Sequence, residues 1–429
     1  MKEIFKNCVI AILTFEAKIL LKRRKPKIIS ITGSVGKTST KDAVYAVLKN
    51  HVHARKSEKS FNSDIGVVLT VLGLHNGWNN PLLWFRNIID GLFHALFSSG
   101  YPEVLVLEMG VDRKGDMKRL TSWIIPDVVI VTCLPDVPAH VEYFSSPAEI
   151  IDEKMVLVRA LKQDGTFIFN ADDAKIQEYL GSIAQKKIGY GQVNNPDYVV
   201  SNDRVIYDGS SPIGIEFELM HVSQTVKVQI LGSLGVHHAY TYAAALSVGA
   251  QFGISLEEGI ADLKVHEQAG GRMRVLPGIS STTVIDDTYN SSPVACEHAL
   301  VTLNTLKTGG RKIAVLGDML ELGRFSVGEH ERIGKVASKK VDILFTLGVR
   351  AQKIAEGASQ AGLSQKNIFA FDDIEALTVT LKQLLKKDDI VLVKASQGVR
   401  AEKVVKAIMA EPQKAHELLI RQDTAWELR

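Results

Sequence analysis

Residues 27–40, KIISITGSVGKTST, decide how this chain is read. Ile28, Ile29 and Ile31 form a short β-branched apolar run, which predicts a buried strand. The run breaks at Gly33, and from Gly36 the chain enters KTSTKDAVYAVLKN, whose apolar residues recur at helical spacing. Strand, glycine turn and helix start together make a phosphate cradle. Glycines let backbone N–H groups approach phosphate oxygens with no Cβ in the way, and the helix N-terminus adds its partial positive charge. The expected cradle is Gly33, Ser34, Val35, Gly36, Lys37, Thr38 and Ser39. Lys37 would reach the terminal phosphates and the Thr38 hydroxyl would hold Mg²⁺. Only Ser34 and Val35 separate the two glycines, a shorter loop than the general P-loop pattern, which has four residues between its glycines. A glycine turn opens many α/β helices that bind nothing. Gly-Lys-Thr directly after a strand points instead to a nucleoside triphosphate, with ATP the first expectation.

At 429 residues the chain has room for two or three domains, and 46% apolar with 23% charged residues describes an ordinary globular protein. A net charge of +3 and a single short basic tract, Lys22-Arg23-Arg24-Lys25, give no expectation of a nucleic-acid partner. Cys8, Cys133 and Cys296 lie far apart without metal-ligand spacing, which fits a reducing cytoplasm. Residues 8–21 are apolar but interrupted by Glu16 and Lys18 and too short to span a bilayer. Their basic cluster follows the apolar part, the reverse of a signal peptide. The expectation is an amphipathic helix packed on the nucleotide-binding domain, with a peripheral membrane or partner contact as the sharper alternative. Residues 81–97, PLLWFRNIIDGLFHALF, raise the same pair of readings, with a buried helix the favoured one.

Asn62 and Asp64 precede an apolar helix at capping positions. Residues 103–109, EVLVLEM, form a strand that ends in Glu108, where a Mg²⁺ contact beside a P-loop is expected. A further strand at 127–132 leads to His140, and a helix at 147–161 carries Glu153 and Lys154. Taken alone, that histidine and lysine would be structural. The strand at 166–170 runs into Asp172 and Asp173, polar groups at a strand's C-terminal edge, where α/β ligands bind. Residues 198–230 alternate with turn signals, as in a small β-meander, and a helix at 236–250 follows. The adjacent pair His237-His238 is poor metal spacing. After a polar linker at 267–271, strands and helices alternate to residue 410. The expected fold class is therefore α/β: an ATPase domain with an appended meander, then a Rossmann-like α/β domain. The expected bounds are a helix at 1–26, the ATP-binding domain at 27–266, the second domain at 267–412 and a tail at 413–429.

The order of these pieces resembles the Mur ligase family, ATP-dependent amide-forming enzymes of bacterial cell-wall synthesis. TGSVGKTSTK is similar to that family's P-loop, SFNSDIGVVLTVL to its asparagine-rich segment and LEMGVDRKGDM to its acidic strand end. DDTYNSSP, LGDMLELG with the later His330, and VKASQGVRAEKV resemble three blocks of the D-alanyl-D-alanine-adding branch. The resemblance covers about residues 10–410. It implies a catalytic set of Lys37, His140 and Lys154, with Thr38, Glu108, His140 and Lys154 serving two Mg²⁺ ions. Lys154 matches a lysine that many members carry as a carbamate. Arg272, Asp287, Tyr289 and Asn290 would be nucleotide contacts from the second domain, and Asn62, Lys394 and Ser396 would serve the substrates.

The implied chemistry is physically ordered. A carboxylate is a poor electrophile, so ATP first converts it to an acyl phosphate. An amine then displaces phosphate to leave an amide, with closure of two domains excluding water. The implied substrates are a peptide or nucleotide-sugar peptide and a dipeptide amine, handled by a monomeric cytoplasmic enzyme with its N-terminal helix free for membrane or partner contact. Three departures stand out. Only about 25 residues precede the P-loop strand where the family carries its UDP-sugar-gripping domain, so that handle is expected to be missing or supplied by a partner. The G-x-H-N-x-x-N motif reads Gly235-Val236-His237-His238-Ala239-Tyr240-Thr241, and the usual K-G-S-R reads Lys394-Ala395-Ser396-Gln397, with Arg400 as a stand-in. They leave open the same ligase chemistry on a non-UDP or lipid-linked carboxylate, and a non-catalytic nucleotide-binding paralogue.

Overall fold

The computed structural model describes residues 2–58, 62–78, 80–97, 100–266, 269–422 and 426, with side chains from residue 6 onward. The expected linker and tail therefore lie partly outside the described residues. Helix α1 (Lys2–Arg24) leads into β1 (Lys27–Thr32), the glycine turn and α2 (Lys37–Leu48). There follow β2 (Ala54–Lys56), α3 (Asp64–Leu72), α4 (Pro81–Phe97), β3 (Val104–Glu108), α5 (Asp116–Thr121) and β4 (Val128–Val131). Then come α6 (Pro147–Arg159), β5 (Thr166–Asn170), α7 (Ala174–Tyr179), β6 (Lys186–Gly191), β7 (Tyr198–Asp208), β8 (Ser211–His221), β9 (Gln224–Leu231), α8 (His237–Ala250) and α9 (Leu256–Lys264).

These strands make one nine-stranded sheet in the order β2-β3-β1-β4-β5-β6-β7-β8-β9. The pairs from β2 to β7 are parallel, and β7, β8 and β9 are antiparallel. The meander expected as an appendage is thus part of the sheet itself. Tyr190 and Gly191 of β6 pair with Tyr198 and Val199 of β7, so the ladder continues where β6 would otherwise present unpaired backbone.

Alternation along the strands separates two cores. Ile29, Ile31, Val104 and Val106 pack with α2 and α8, while Ile28, Leu105 and Leu107 pack with α1, α3 and α6. Ala243, Ala244 and Ala245 let α8 lie close to α2 and the strands. Helix α1 packs as expected, with Val9, Leu13, Ala17 and Leu20 buried against α3 and α4. Helix α4 does not. It fully buries only Asn87, Gly91 and Ala95, packs Trp84 and Ile88 partly against the core and turns its other large apolar side chains outward, so the expected buried helix is overturned.

The second body begins with β10 (Arg274–Pro277), an edge strand absent from the sequence expectation, and β11 (Thr283–Asp287). It continues through α10 (Pro293–Thr305), β12 (Lys312–Gly317), α11 (Ser326–Ala337), β13 (Ile343–Leu347), α12 (Gln352–Gln360), β14 (Ile368–Phe371), α13 (Ile374–Leu384), β15 (Ile390–Lys394) and α14 (Glu402–Ile408). The sheet order is β10-β11-β15-β12-β13-β14, parallel except for β10. Pro277 sits on that edge strand, where its missing N–H costs no ladder bond. Backbone bonds from Leu234 to Met273 and from Val275 to Gly232 join the two bodies. No described helix is long and apolar enough to cross a membrane.

Candidate active site

The turn after β1 takes the shape a phosphate needs. Gly33 and Gly36 have φ of 139° and 87°, and a Cβ on Gly33 would stand 2.1 Å from Thr132 Oγ1. Thr132, at the end of β4, donates its hydroxyl to Val35 O at 2.6 Å, and Ser34 N–H donates to Cys133 O at 2.8 Å. These bonds hold the loop open over the start of α2. Gly36 provides no side-chain cap there, so the first N–H groups of α2 face the cavity. Lys37 folds back to donate to Gly33 O at 2.9 Å. Burial lowers its pKa and Glu108 works in the opposite direction.

Glu108 ends β3, is 1% exposed, and accepts from Asn62 Nδ2 at 3.2 Å through Oε1. Its Oε2 is buried without a hydrogen-bond partner among the described residues. A buried carboxylate oxygen left unmatched in the cavity that Thr38 also lines is the kind of donor a divalent cation takes. Thr38 and Glu108 thus fit the first expected Mg²⁺.

The second expected ion finds less. His140 sits at φ 67° with Nδ1 2.8 Å from Glu321 Oε2 and 3.8 Å from Asp112. That contact holds Glu321 below the usual carboxylate range. Lys154 on α6 is 2% exposed, and burial, then the nearby Lys37, push its pKa down to about 7. An ammonium offers no lone pair to a metal. Among the described residues no group of three or more His, Cys, Asp or Glu side chains is gathered as a metal site.

The second body closes the cavity, whose volume is about 740 Å³. Arg272 donates to Thr38 Oγ1 at 3.2 Å and stacks its guanidinium 4.0 Å over the Tyr289 ring. The β11–α10 loop brings in Asp287 and Asn290. Lys394, expected at the amine substrate, spends its ammonium on Asp287 at 2.6 Å and on Asn290 O at 3.0 Å. Ser396 lies under the site rather than on its wall: its Oγ accepts from Leu320 N–H at 2.9 Å and donates to Ser291 O at 3.3 Å. Arg400 is turned away, bonded to Glu402 and stacked near Trp426, so it does not replace the arginine missing at Gln397.

Asp172, Tyr240, His237 and His298 also line the cavity. Tyr240 donates to Asp172 at 2.5 Å, and Asp172 also accepts from the backbone of Gln192 and Val193. The rings of His237 and His238 lie 4.3 Å apart. Burial, then the neighbouring imidazole, hold His237 well below its usual pKa, and burial holds His238 near 4. Both are neutral at pH 7, and neither forms a metal cluster among the described residues. Sequence reasoning missed Tyr240, Asp112, His298 and Glu321. Glu321, Asp112 and Tyr240 lie inside stretches that carry the family resemblance, LGDMLELG, LEMGVDRKGDM and residues 235–241, whereas nothing local marks His298.

Residues 31–249 match the Mur ligase middle domain, and residues 271–397 match the Mur ligase glutamate ligase domain. The UDP-N-acetylmuramoyl-tripeptide–D-alanyl-D-alanine ligase of Bacillus subtilis is 31% identical over 398 residues, 92% of this chain and 79% of that protein. Its Escherichia coli counterpart is 26% identical over 390 residues, 89% and 76% of the two chains. The crystal structure of the MurF ligase of Thermotoga maritima in complex with ADP has a TM-score of 0.75 at 25% identity, over 95% of this chain and 84% of that one. The folylpolyglutamate synthase of Mycobacterium tuberculosis, at 16% identity and a TM-score of 0.63 over 91% and 93%, shares the fold.

Proposed function

Because the chain belongs to the Mur ligase family, we infer that its cavity adds D-alanyl-D-alanine to the carboxylate of a UDP-muramoyl tripeptide in peptidoglycan synthesis. The chain is an ATP-dependent carboxylate–amine ligase, working with ATP and Mg²⁺. The observation that carries the ligase reading is that Lys37, the unmatched Glu108 oxygen and Arg272 from the other body line one cavity.

The acceptor carboxylate attacks the γ-phosphorus of ATP, the bond to the bridging β–γ oxygen breaks, and ADP leaves. The α2 N-terminus and Lys37 stabilise the charge on the transferring phosphoryl group, and Arg272 faces it from the second body. Thr38 and Glu108 would hold the Mg²⁺, which neutralises phosphate charge when bound. The free amine then attacks the acyl carbon, phosphate departs, and the amine's proton passes to solvent. Lys394 acts on this chemistry by fixing Asp287 and Asn290, as a positioning residue. His140 and Glu321 tie the two bodies together beside the reacting groups.

The outward apolar face of α4 favours a second reading, in which the same chemistry runs on a carboxylate carried by a lipid. The test is phosphate release from ATP with Mg²⁺ and bicarbonate, with product masses read in parallel. Release that requires both UDP-N-acetylmuramoyl-tripeptide and D-Ala-D-Ala, with the amide mass appearing, supports the first reading. ATP binding without turnover on that pair, and turnover on the lipid-linked peptide, would replace it with the second.

A further inference from the structure

Helix α4 is amphipathic in the reverse of the usual sense. Its narrow seam of Asn87, Gly91 and Ala95, spaced i, i+4, i+8, packs inward. The approach is close: a Cβ on Gly91 would stand 2.2 Å from Glu16 Oε2 of α1. Small residues let α4 lie against α1 and α3, with only Trp84 and Ile88 among its large apolar residues partly buried against the core. Leu82, Phe85, Ile89, Leu92, Phe93 and Phe97 therefore face out, with Leu82 78% and Phe97 67% exposed. On the neighbouring α1, Ile12 and Phe15 are exposed as well. A monomer's isolated exposed leucine needs no account, but a contiguous aromatic and aliphatic face does.

The charge around the face selects its occupant. The one acidic residue of α4, Asp90, is matched by Arg86 at 3.2 Å. On α1 the one acidic residue from Lys6 onward, Glu16, is buried. The tract Lys22-Arg23-Arg24-Lys25 is exposed and fixed at the end of the face, because Arg23 donates to the backbone carbonyls of Ala95 and Leu96. An apolar ridge about 25 Å long, rich in Phe and Leu and closed by four cations, is the pattern of a helix lying in a bilayer interface. We propose that the α1–α4 face docks the protein onto an anionic membrane surface. The helices lie in the plane of the headgroups, with the apolar face in the acyl boundary and the basic tract on the lipid phosphates. This proposal shares the α4 face with the lipid-linked reading of the substrate but holds whichever carboxylate the ligase uses.

The test is co-sedimentation of the full chain with vesicles of phosphatidylcholine alone or with phosphatidylglycerol. Binding to the phosphatidylglycerol vesicles is expected, weakened by salt. Phe85→Ser with Phe93→Ser should abolish it. Lys22→Glu with Lys25→Glu should weaken it by about fivefold or more per position. Val379→Ser, which alters an exposed apolar residue on α13, should leave it unchanged. An unchanged thermal shift with ATP certifies that each variant is folded. A full chain that stays in the supernatant overturns the proposal. So does equal sedimentation of the Phe85/Phe93 variant, or a dimer that these substitutions dissolve in a protein without lipid affinity, which would assign the face to a second copy.

Discussion

Lys37, which lines the cavity, and Lys154, buried on α6, differ in their electrostatic surroundings. Lys37 has a carboxylate, Glu108, within electrostatic reach, which favours its charged form against desolvation where phosphate charge develops. Lys37→Ala should lower turnover by about 10²- to 10³-fold, the usual loss for one preorganised charge-stabilising donor. A rapid-quench measurement of acyl phosphate formation checks this, and full burst amplitude in the variant would remove Lys37 from the chemistry. Lys154 has only the distant opposing charge of Asp112, and its pKa near 7 leaves a large neutral fraction at physiological pH. A neutral buried amine can add CO₂, forming an N–C bond and releasing a proton, which converts an unhelpful cation into an anion able to face a metal. Bicarbonate labelled with ¹³C should then give a carbamate resonance that Lys154→Met lacks, with activity falling in CO₂-free buffer. The sign for stability also follows. The unfolded lysine holds its proton up to about 10.5 and the folded one only to about 7, so this group's contribution rises with pH between those values.

At the scale of elements, the seam between α1 and α4 carries a carboxyl with no partner among the described residues. Glu16 is 3% exposed, its Oε2 is unmatched, and desolvation pushes its pKa up to about 7. The unfolded chain gives up this proton near 4.5 and the folded one near 7, so stability falls as pH climbs through that window. Glu16→Gln should raise Tm at pH 8 and leave it nearly unchanged at pH 4, a comparison that calorimetry makes directly. Glu16 also shows where the sequence stopped being legible. Its interruption of an apolar run was visible at once, whereas its burial depends on Gly91, some seventy-five residues away. Strand β1, the glycine turn and α2 were readable because their signals are local: a β-branched run, two glycines and a helical period. The alternation of the second body was readable for the same reason. Strand β10 was not, because its four residues have no period and owe their conformation to pairing with β11. Helix α4 was misjudged because its apolar moment marks a face without saying whether protein or something else covers it. Glu108 announced itself by ending a strand beside the P-loop, but the diversion of Lys394 to Asp287 depends on β11 lying beside β15.

For the whole molecule, the cavity exists only because two sheets meet. Backbone bonds at Leu234–Met273 and Val275–Gly232 form the base of that junction, and Lys307 N–H donates to Tyr207 at 2.7 Å nearby. Arg324 reaches Ser145 O at 2.8 Å beside the His140–Glu321 contact. Arg272 crosses from the second body to the phosphate cradle itself by donating to Thr38. Closure at the nucleotide therefore depends on a planar guanidinium stacked on Tyr289, a geometry an ammonium cannot copy. Arg272→Lys keeps the charge and loses the fork and the stack, so kcat/KM for ATP should fall about 10- to 100-fold, the range of a charged hydrogen bond. Melting of the nucleotide-free protein should hardly change, since the backbone bonds at the base remain. The stabilisation that saturating ATP with Mg²⁺ gives the native protein, about 2.7 kcal/mol at a hundredfold excess over Kd, should shrink at the same nucleotide concentration. A variant that kept its full ATP-dependent Tm shift while losing turnover would place Arg272 on the transferring phosphoryl group alone. One that kept both would mean that the bodies close without it.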